Sequence, residues 1–310
     1  MRRFEKSKEM YEKYRKVCPG GTHSSARFYS EIGHPLYFSK AQGSRIWDID
    51  GNEFIDCTMG FGAMILGHNH PRVSAAVKAA IDTGLTGGSD TEIGYEVTKK
   101  LADMVPCAES VKLSASGTEA VMHAIHIVRG YTGRDLIMKP EGSYEGWYDC
   151  VLLSNHSPKY AQGPLWEPNV YRESAGILKE ATEKTIVYPF NNTEIFASLV
   201  KKYGDHLAGV LLTPVIYSGG TVLPEPGYLA AVREITDKND IPLVFDEVIT
   251  GFRYAPGGAQ EFYQVTPELA VFGKAMANGY PLSAAVGKEE IMRVTTPGAE
   301  VGWLGTHNAN

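Results

Sequence analysis

Cysteine is scarce and scattered. Cys18, Cys57, Cys107 and Cys150 are the four in 310 residues, and no two are spaced C-x-x-C. That spacing excludes a zinc ribbon and a dithiol redox motif, and it suits reduced thiols in a cytoplasmic protein. Positive charge is not in excess either. Lys and Arg number 30 against 36 Asp and Glu, a net charge of -6, so there is no electrostatic case for nucleic acid and no basic block to bind it. Long apolar runs are missing. The stretch "AGVLLTPVIY" is short and broken by Pro214, whereas a membrane span needs about 20 apolar residues. The start, "MRRFEKSKEMYEKYRKV", has basic residues but no apolar region behind them, so it does not read as a signal peptide. Several catalytic signatures are also lacking. There is no G-x-S-x-G, "GFGAMILG" is not G-x-G-x-x-G, and Gly287-Lys288 lacks the upstream glycine of a P-loop. His68 and His70 of "GHNHP" have no cysteine or carboxylate set to complete a metal site, and they read as a turn before a helix started by Pro71.

What is there is an ordinary globular composition, 43% hydrophobic and 21% charged. The length suits one large domain plus a smaller lobe. Residues 2 to 17 predict an amphipathic, charged helix. "SRIWDIDGNEFIDC" predicts a hairpin turning at Asp50-Gly51. Beyond it, apolar strand runs alternate with helical patterns. The strands expected are Val111–Leu113, Asp135–Met138, Thr185–Tyr188, Gly209–Leu212, Leu243–Phe245 and Ala270–Phe272. "PRVSAAVKAAIDTG", "GTEAVMHAIHIVRG", "TEIFASLVKKYG" and "GYLAAVREITDKN" predict helices. Strands apolar on both faces that alternate with helices imply an α/β fold with a mostly parallel sheet flanked by helices. Ligands of such sheets collect beyond the carboxyl ends of the strands.

Three features stand at those ends. "IPLVFDEVITGFR" is a buried-strand pattern that stops on two carboxylates, Asp246 and Glu247. A buried carboxylate is costly unless a cation meets it. In "SASGTEAVMHAI", Ser116 and Glu119 form the S-x-x-E of a helix cap. Alone that is only a cap, but small residues around it leave free amides and a positive dipole end, an anion cradle with the Ser116 and Thr118 hydroxyls as further donors. In "PELAVFGKAMANGYP", Lys274 follows an apolar strand and Gly273. Such a lysine is ordinarily a surface residue. Desolvated, its amine loses its proton more readily and can form an imine with an aldehyde.

A carboxylate, a phosphate cradle and an imine-forming lysine on one sheet rim are what pyridoxal phosphate requires. The cation expected at Asp246 is then the protonated pyridine nitrogen.

With those residues in place, the sequence resembles the class III, fold-type I pyridoxal-phosphate aminotransferases, most nearly the glutamate-1-semialdehyde aminomutase branch and its aminotransferase relatives. The resemblance runs from about Pro19 to the last residue and rests on the ordered set "PGGTHSSARF", "DIDGNEFIDCTMGFGAMILGHNHP", "SASGTEAVMHAI", "EGSYEGWYD", "FDEVITGFR", "GGAQEFYQVTPELAVFGKAMANGYP" and "GWLGTHNAN". It implies that Lys274 is the Schiff-base lysine and Asp246 the pyridinium partner. It further implies that Val248 packs under the ring, Tyr144 stacks above it, and Ser116, Gly117 and Thr118 hold the phosphate. Thr306 matches a threonine that reaches the neighbouring subunit's cofactor phosphate, which implies a homodimer with shared sites. Arg27 matches an arginine that receives a substrate carboxylate.

Three positions depart from that pattern. Y-H-G reads Tyr144-Glu145-Gly146, E-P-V reads Thr213-Pro214-Val215, and the triple glycine after the lysine reads "ANGYP", as in aminotransferases of sugar and amino-acid pathways. The resemblance implies residues 1–55 in a small lobe, 56–310 as the large cofactor-binding domain, and a C-terminal small domain not included in the chain. The expected activity is transfer of an amino group between an amino acid or amino sugar and a keto or aldehyde acceptor. The alternatives are aminomutase chemistry and a shortened homologue that only binds cofactor. Small-molecule substrates, no nucleic acid and no membrane complete the expectation.

Overall fold

The computed structural model describes residues 3–84 and 88–309. The chain divides into two compact units, Met1–Leu85 and Thr86–Asn310.

In the first unit a helix spans Glu5–Tyr14, shorter at both ends than the charge pattern predicts. Asp50 closes its start: Oδ1 accepts from the Lys6 amide at 2.8 Å and Oδ2 from the Ser7 amide at 2.9 Å. The predicted hairpin forms, with Arg45–Asp48 antiparallel to Glu53–Ile55. Its turn is held by Asp48 Oδ1, which accepts from the amides of Asp50 and Asn52. Phe38–Gln42 adds a third strand. Pro71 starts the helix Pro71–Ile81, and His68 Nε2 lies 2.7 Å from Asp56 Oδ2.

In the second unit, seven strands of the described residues form one sheet. They are β1 (Ser110–Ser114), β2 (Leu136–Pro140), β3 (Thr185–Tyr188), β4 (Leu207–Leu212), β5 (Leu243–Asp246), β6 (Leu269–Phe272) and β7 (Ser283–Gly287). The order across the sheet is β1-β7-β6-β5-β4-β2-β3. All neighbours pair in parallel except at β7, which runs antiparallel to both β6 and β1. The sheet is mostly parallel, as expected. β7 is the strand that sequence pattern misses, because "SAAVG" offers no β-branched or aromatic run to mark it.

The two faces of the sheet explain its apolar strands. Val210, Leu212, Leu243, Phe245, Ala270 and Phe272 pack on one side with α1 (Glu92–Met104), α3 (Thr193–Tyr203) and α4 (Tyr228–Lys238). Leu211, Val244, Leu269 and Val271 point the other way, onto α2 (Gly117–Thr132). Alternate residues of one strand therefore feed two cores, each buried Leu or Phe contributing about 1.5–3 kcal/mol. Helices cover both faces, so the rim where strands end is the open surface for chemistry. No helix among the described residues is long and apolar enough to cross a membrane.

Candidate active site

Asp246 is the last residue of β5 and only 4% exposed. Its Oδ1 accepts from the Val248 amide at 2.9 Å. Among the described residues no cation lies within ion-pair distance of it. Burial, and then the charge of Glu145, push its pKa up to about 7, while Lys274 opposes the rise. Glu247, the second carboxylate of the pair, turns into the protein. It accepts from Thr250 Oγ1 and from the amides of Ala259 at 2.8 Å and Gln260 at 2.9 Å. One carboxylate of "DE" is thus structurally satisfied and the other is left facing the rim.

Lys274 follows β6 directly and is half-buried. Its φ of 41° is a left-handed conformation that a lysine adopts at a cost, and such strain concentrates at functional sites. Burial lowers its pKa against the opposing charge of Asp246. The amine is thus more easily freed of its proton than an exposed lysine.

The start of α2 lies against their chain neighbours Val248 and Gly273. Ser116 Oγ accepts from the Glu119 amide at 3.3 Å and donates to Glu119 Oε2 at 3.1 Å. The cap is displaced from the usual box, because Glu119 reaches back to the Ala115 amide and not to that of Ser116. Gly117 is open because Val248 leaves no room: an added Cβ would stand 3.0 Å from Val248 Cγ1. Gly273 presses on the same methyl, at 3.4 Å for an added Cβ. Val248 therefore joins the helix start to the Lys274 turn.

Tyr144 comes in from the loop after β2. Its amide donates to Ser218 Oγ at 3.1 Å, and its hydroxyl pKa is raised by burial and by the charge of Asp246. Gly146, with a φ of 112°, passes so close to Thr118 that an added Cβ would lie 3.0 Å from Thr118 Oγ1. The Trp147 amide donates to that same oxygen at 3.1 Å. The structure thus brings Ser116, Gly117, Thr118, Tyr144, Asp246, Val248 and Lys274 to one end of the sheet.

Directly after Tyr144 in the chain comes one member of a buried pair that sequence reasoning passed over. Lys139 of β2 and Glu145 lie 2.9 Å apart with both side chains fully enclosed. A lysine inside the apolar strand "LIMKP", six residues before a glutamate, was the available signal.

A match to the aminotransferase class-III family spans residues 28–310. The chain belongs to the class-III aminotransferase family. This class-III aminotransferase family member is 42% identical over 305 residues to the glutamate-1-semialdehyde 2,1-aminomutase of Methanothermobacter thermautotrophicus, covering 98% of this chain and 70% of that relative. It matches an omega-transaminase from Sphaerobacter thermophilus with a TM-score of 0.93 and 35% identity, covering 98% of this chain and 69% of that one. A second solved structure, a transaminase with PLP bound, matches at 0.93 and 32% identity, over 100% of this chain and 71% of that one. The family depends on pyridoxal phosphate, and the residues here fit it. Asp246 is a buried carboxylate with no cation at ion-pair distance among the described residues, the amine of Lys274 is half-buried and feels its charge, and α2 opens on small residues.

Arg27 and Thr306 are placed outside that cluster's elements. Arg27 ends the 3-10 turn Ser25–Arg27 in the first unit, where it is exposed. Thr306 stands on the exposed turn at 306–309.

Proposed function

We propose that this class-III family member is an aminotransferase moving an amino group between an amino-acid or amino-sugar donor and a keto or aldehyde acceptor. The observation that carries the reading is the gathering of Asp246, Lys274 and the α2 start at one end of the sheet around Val248: a buried carboxylate with no cation at ion-pair distance among the described residues, and an amine whose pKa burial lowers. Pyridoxal phosphate, when bound, supplies the electron sink that makes a donor's α-hydrogen acidic. Lys274 would hold the cofactor covalently and, once the donor's amine has displaced it, its freed amine would take and return the proton as general base and acid. Asp246 faces the ring nitrogen. Val248 and Tyr144 take the two ring faces, Ser116, Gly117 and Thr118 receive the phosphate, and Arg27 receives a donor carboxylate. Thr306 serves a neighbouring copy's site in a homodimer. Residues 1–55 contribute to a small lobe, and the four free cysteines accord with a cytoplasmic setting.

A second reading is glutamate-1-semialdehyde aminomutase chemistry, in which one molecule is both donor and acceptor. The names of the relatives at about 40% identity favour it.

The test is spectroscopic. Cofactor-loaded protein should show a visible absorbance band that shifts on adding an amino donor, and a donor panel separates the two readings. Borohydride reduction and peptide mapping should label the Lys274 peptide. Label on another lysine, or no shift with any donor, would refute the reading.

A further inference from the structure

Two of the positions at which this chain departs from its family's pattern, Glu145 and Thr213, touch. Thr213 Oγ1 donates to Glu145 Oε1 at 3.3 Å in the buried interior. The resemblance implies histidine and glutamate at those positions, which would set the carboxylate on the other side of that contact.

The surroundings of Glu145 are built for that charge. Ser143 Oγ also donates to Oε1. Lys139 lies 2.9 Å from Oε2, yet its ammonium is aimed at the carbonyls of Ser143, Val151 and Leu153 and at Asn155 Oδ1. Oε2 therefore receives the charge of Lys139 without any directed hydrogen bond. Such a half-satisfied buried carboxylate is costly and is not what a purely structural cross-link would select.

Its place in the sheet points to the reason. β4 lies between β2 and β5, with Met138 opposite Val210 and Leu212 opposite Phe245. Lys139, Thr213 and Asp246 therefore follow one another across three adjacent strand ends. Glu145 bridges the first two and directly follows Tyr144. After burial, its charge is the largest influence on Asp246.

We propose that Glu145 is a positioning residue for the reaction: clamped by Lys139 and Thr213, it fixes the Tyr144–Gly146 loop against Thr118. With that loop held, Tyr144 would keep its place over the cofactor ring, and Gly146 and the Trp147 amide would stay against Thr118 at the phosphate cradle. This rests on the pyridoxal-phosphate reading above.

The experiment compares the cofactor-free melting temperature and the dissociation constant for pyridoxal phosphate, followed by absorbance, in the parent and three variants. The double variant Glu145→Gln with Lys139→Gln removes both charges together and keeps an N–H donor for the buried acceptors that Lys139 serves. It is expected to melt within a few degrees of the parent yet hold the cofactor about tenfold more weakly. The reciprocal swap Glu145→His with Thr213→Glu returns a carboxylate to the same contact and is expected to hold it within about threefold of the parent. Thr213→Val removes only the hydroxyl and is expected to weaken the hold about threefold. A neutral double variant that binds like the parent, or a swap no better than that double, overturns the proposal. A parent-like value for Thr213→Val overturns it even if a double variant fails to fold. A parent chain that takes up no pyridoxal phosphate refutes the underlying functional reading, and the proposal with it.

Discussion

Gly117 at the first turn of α2 and Val248 beyond β5 approach so closely that an added Cβ would lie 3.0 Å from one Val248 methyl and 3.1 Å from the other. Alanine is ordinarily favoured over glycine in a helix by about 1 kcal/mol, so propensity alone predicts that Gly117→Ala is harmless. The contact predicts otherwise. Val248 must move by a few tenths of an ångström, and Val248 is the residue proposed to pack under the cofactor ring. Gly117→Ala should keep a melting temperature within a few degrees of the parent while weakening the hold on pyridoxal phosphate about tenfold. Unchanged binding, measured by absorbance titration, would show that the glycine serves packing alone.

Asp246 gives a pH dependence with a definite sign. Its folded pKa is raised to about 7 from the ordinary 3.8, chiefly by burial. The folded chain therefore keeps a proton that the unfolded chain loses. The stability from that proton is fully present below the unfolded value, declines by up to about 1.4 kcal/mol per pH unit above it, and is lost as pH rises through about 7. Cofactor-free protein should thus unfold at lower urea at pH 8 than at pH 5, and Asp246→Asn should remove that fall. In the loaded protein the same substitution should leave cofactor bound but cut turnover by about a hundredfold or more, since the ring loses its anion. Turnover within a few fold of the parent would make the carboxylate structural.

Arg27 is exposed, which alone fits an ordinary solvated arginine. A guanidinium offers a planar two-point fork to a carboxylate that a lysine cannot reproduce. Arg27→Lys should lower kcat/KM for amino-acid donors tens- to thousands-fold, the equivalent of about 2–5 kcal/mol, and spare simple amines without a carboxylate. Equal loss for both donor types, or none for either, would remove Arg27 from carboxylate recognition.

For Thr306 the expected outcome is a two-fold homodimer whose sites are composite. Sedimentation should show the dimer, and Thr306→Ala should weaken cofactor binding about tenfold without dissociating it. An active monomer would refute the arrangement.

Much of the fold was legible because its signals are local. A strand buried on both faces must be apolar throughout, so β3, β4, β5 and β6 declare themselves in "TIVY", "LAGVLL", "LVFD" and "LAVF". Asp50-Gly51 marks its hairpin because the turn needs a positive φ, which Gly51 adopts at 86°. β7 was not legible, because its small residues are chosen for close approach between two neighbours and carry no periodic signal.

By itself, the sequence determined that Asp246, Lys274 and the Ser116 cap would each end or follow an element of one parallel sheet, since apolar runs and caps are set by neighbouring residues. Only the tertiary structure decided which carboxylate of "DE" is tied down by distant amides. Glu247 accepts from those of Ala259 and Gln260, twelve and thirteen residues away in sequence, whereas Asp246 accepts only from the nearby Val248 amide. The tertiary structure alone also placed Lys139, Glu145 and Thr213 in one buried contact. Thr213 comes from a segment 68 residues beyond Glu145, and a charge's effect depends on distance and burial, neither of which is encoded locally.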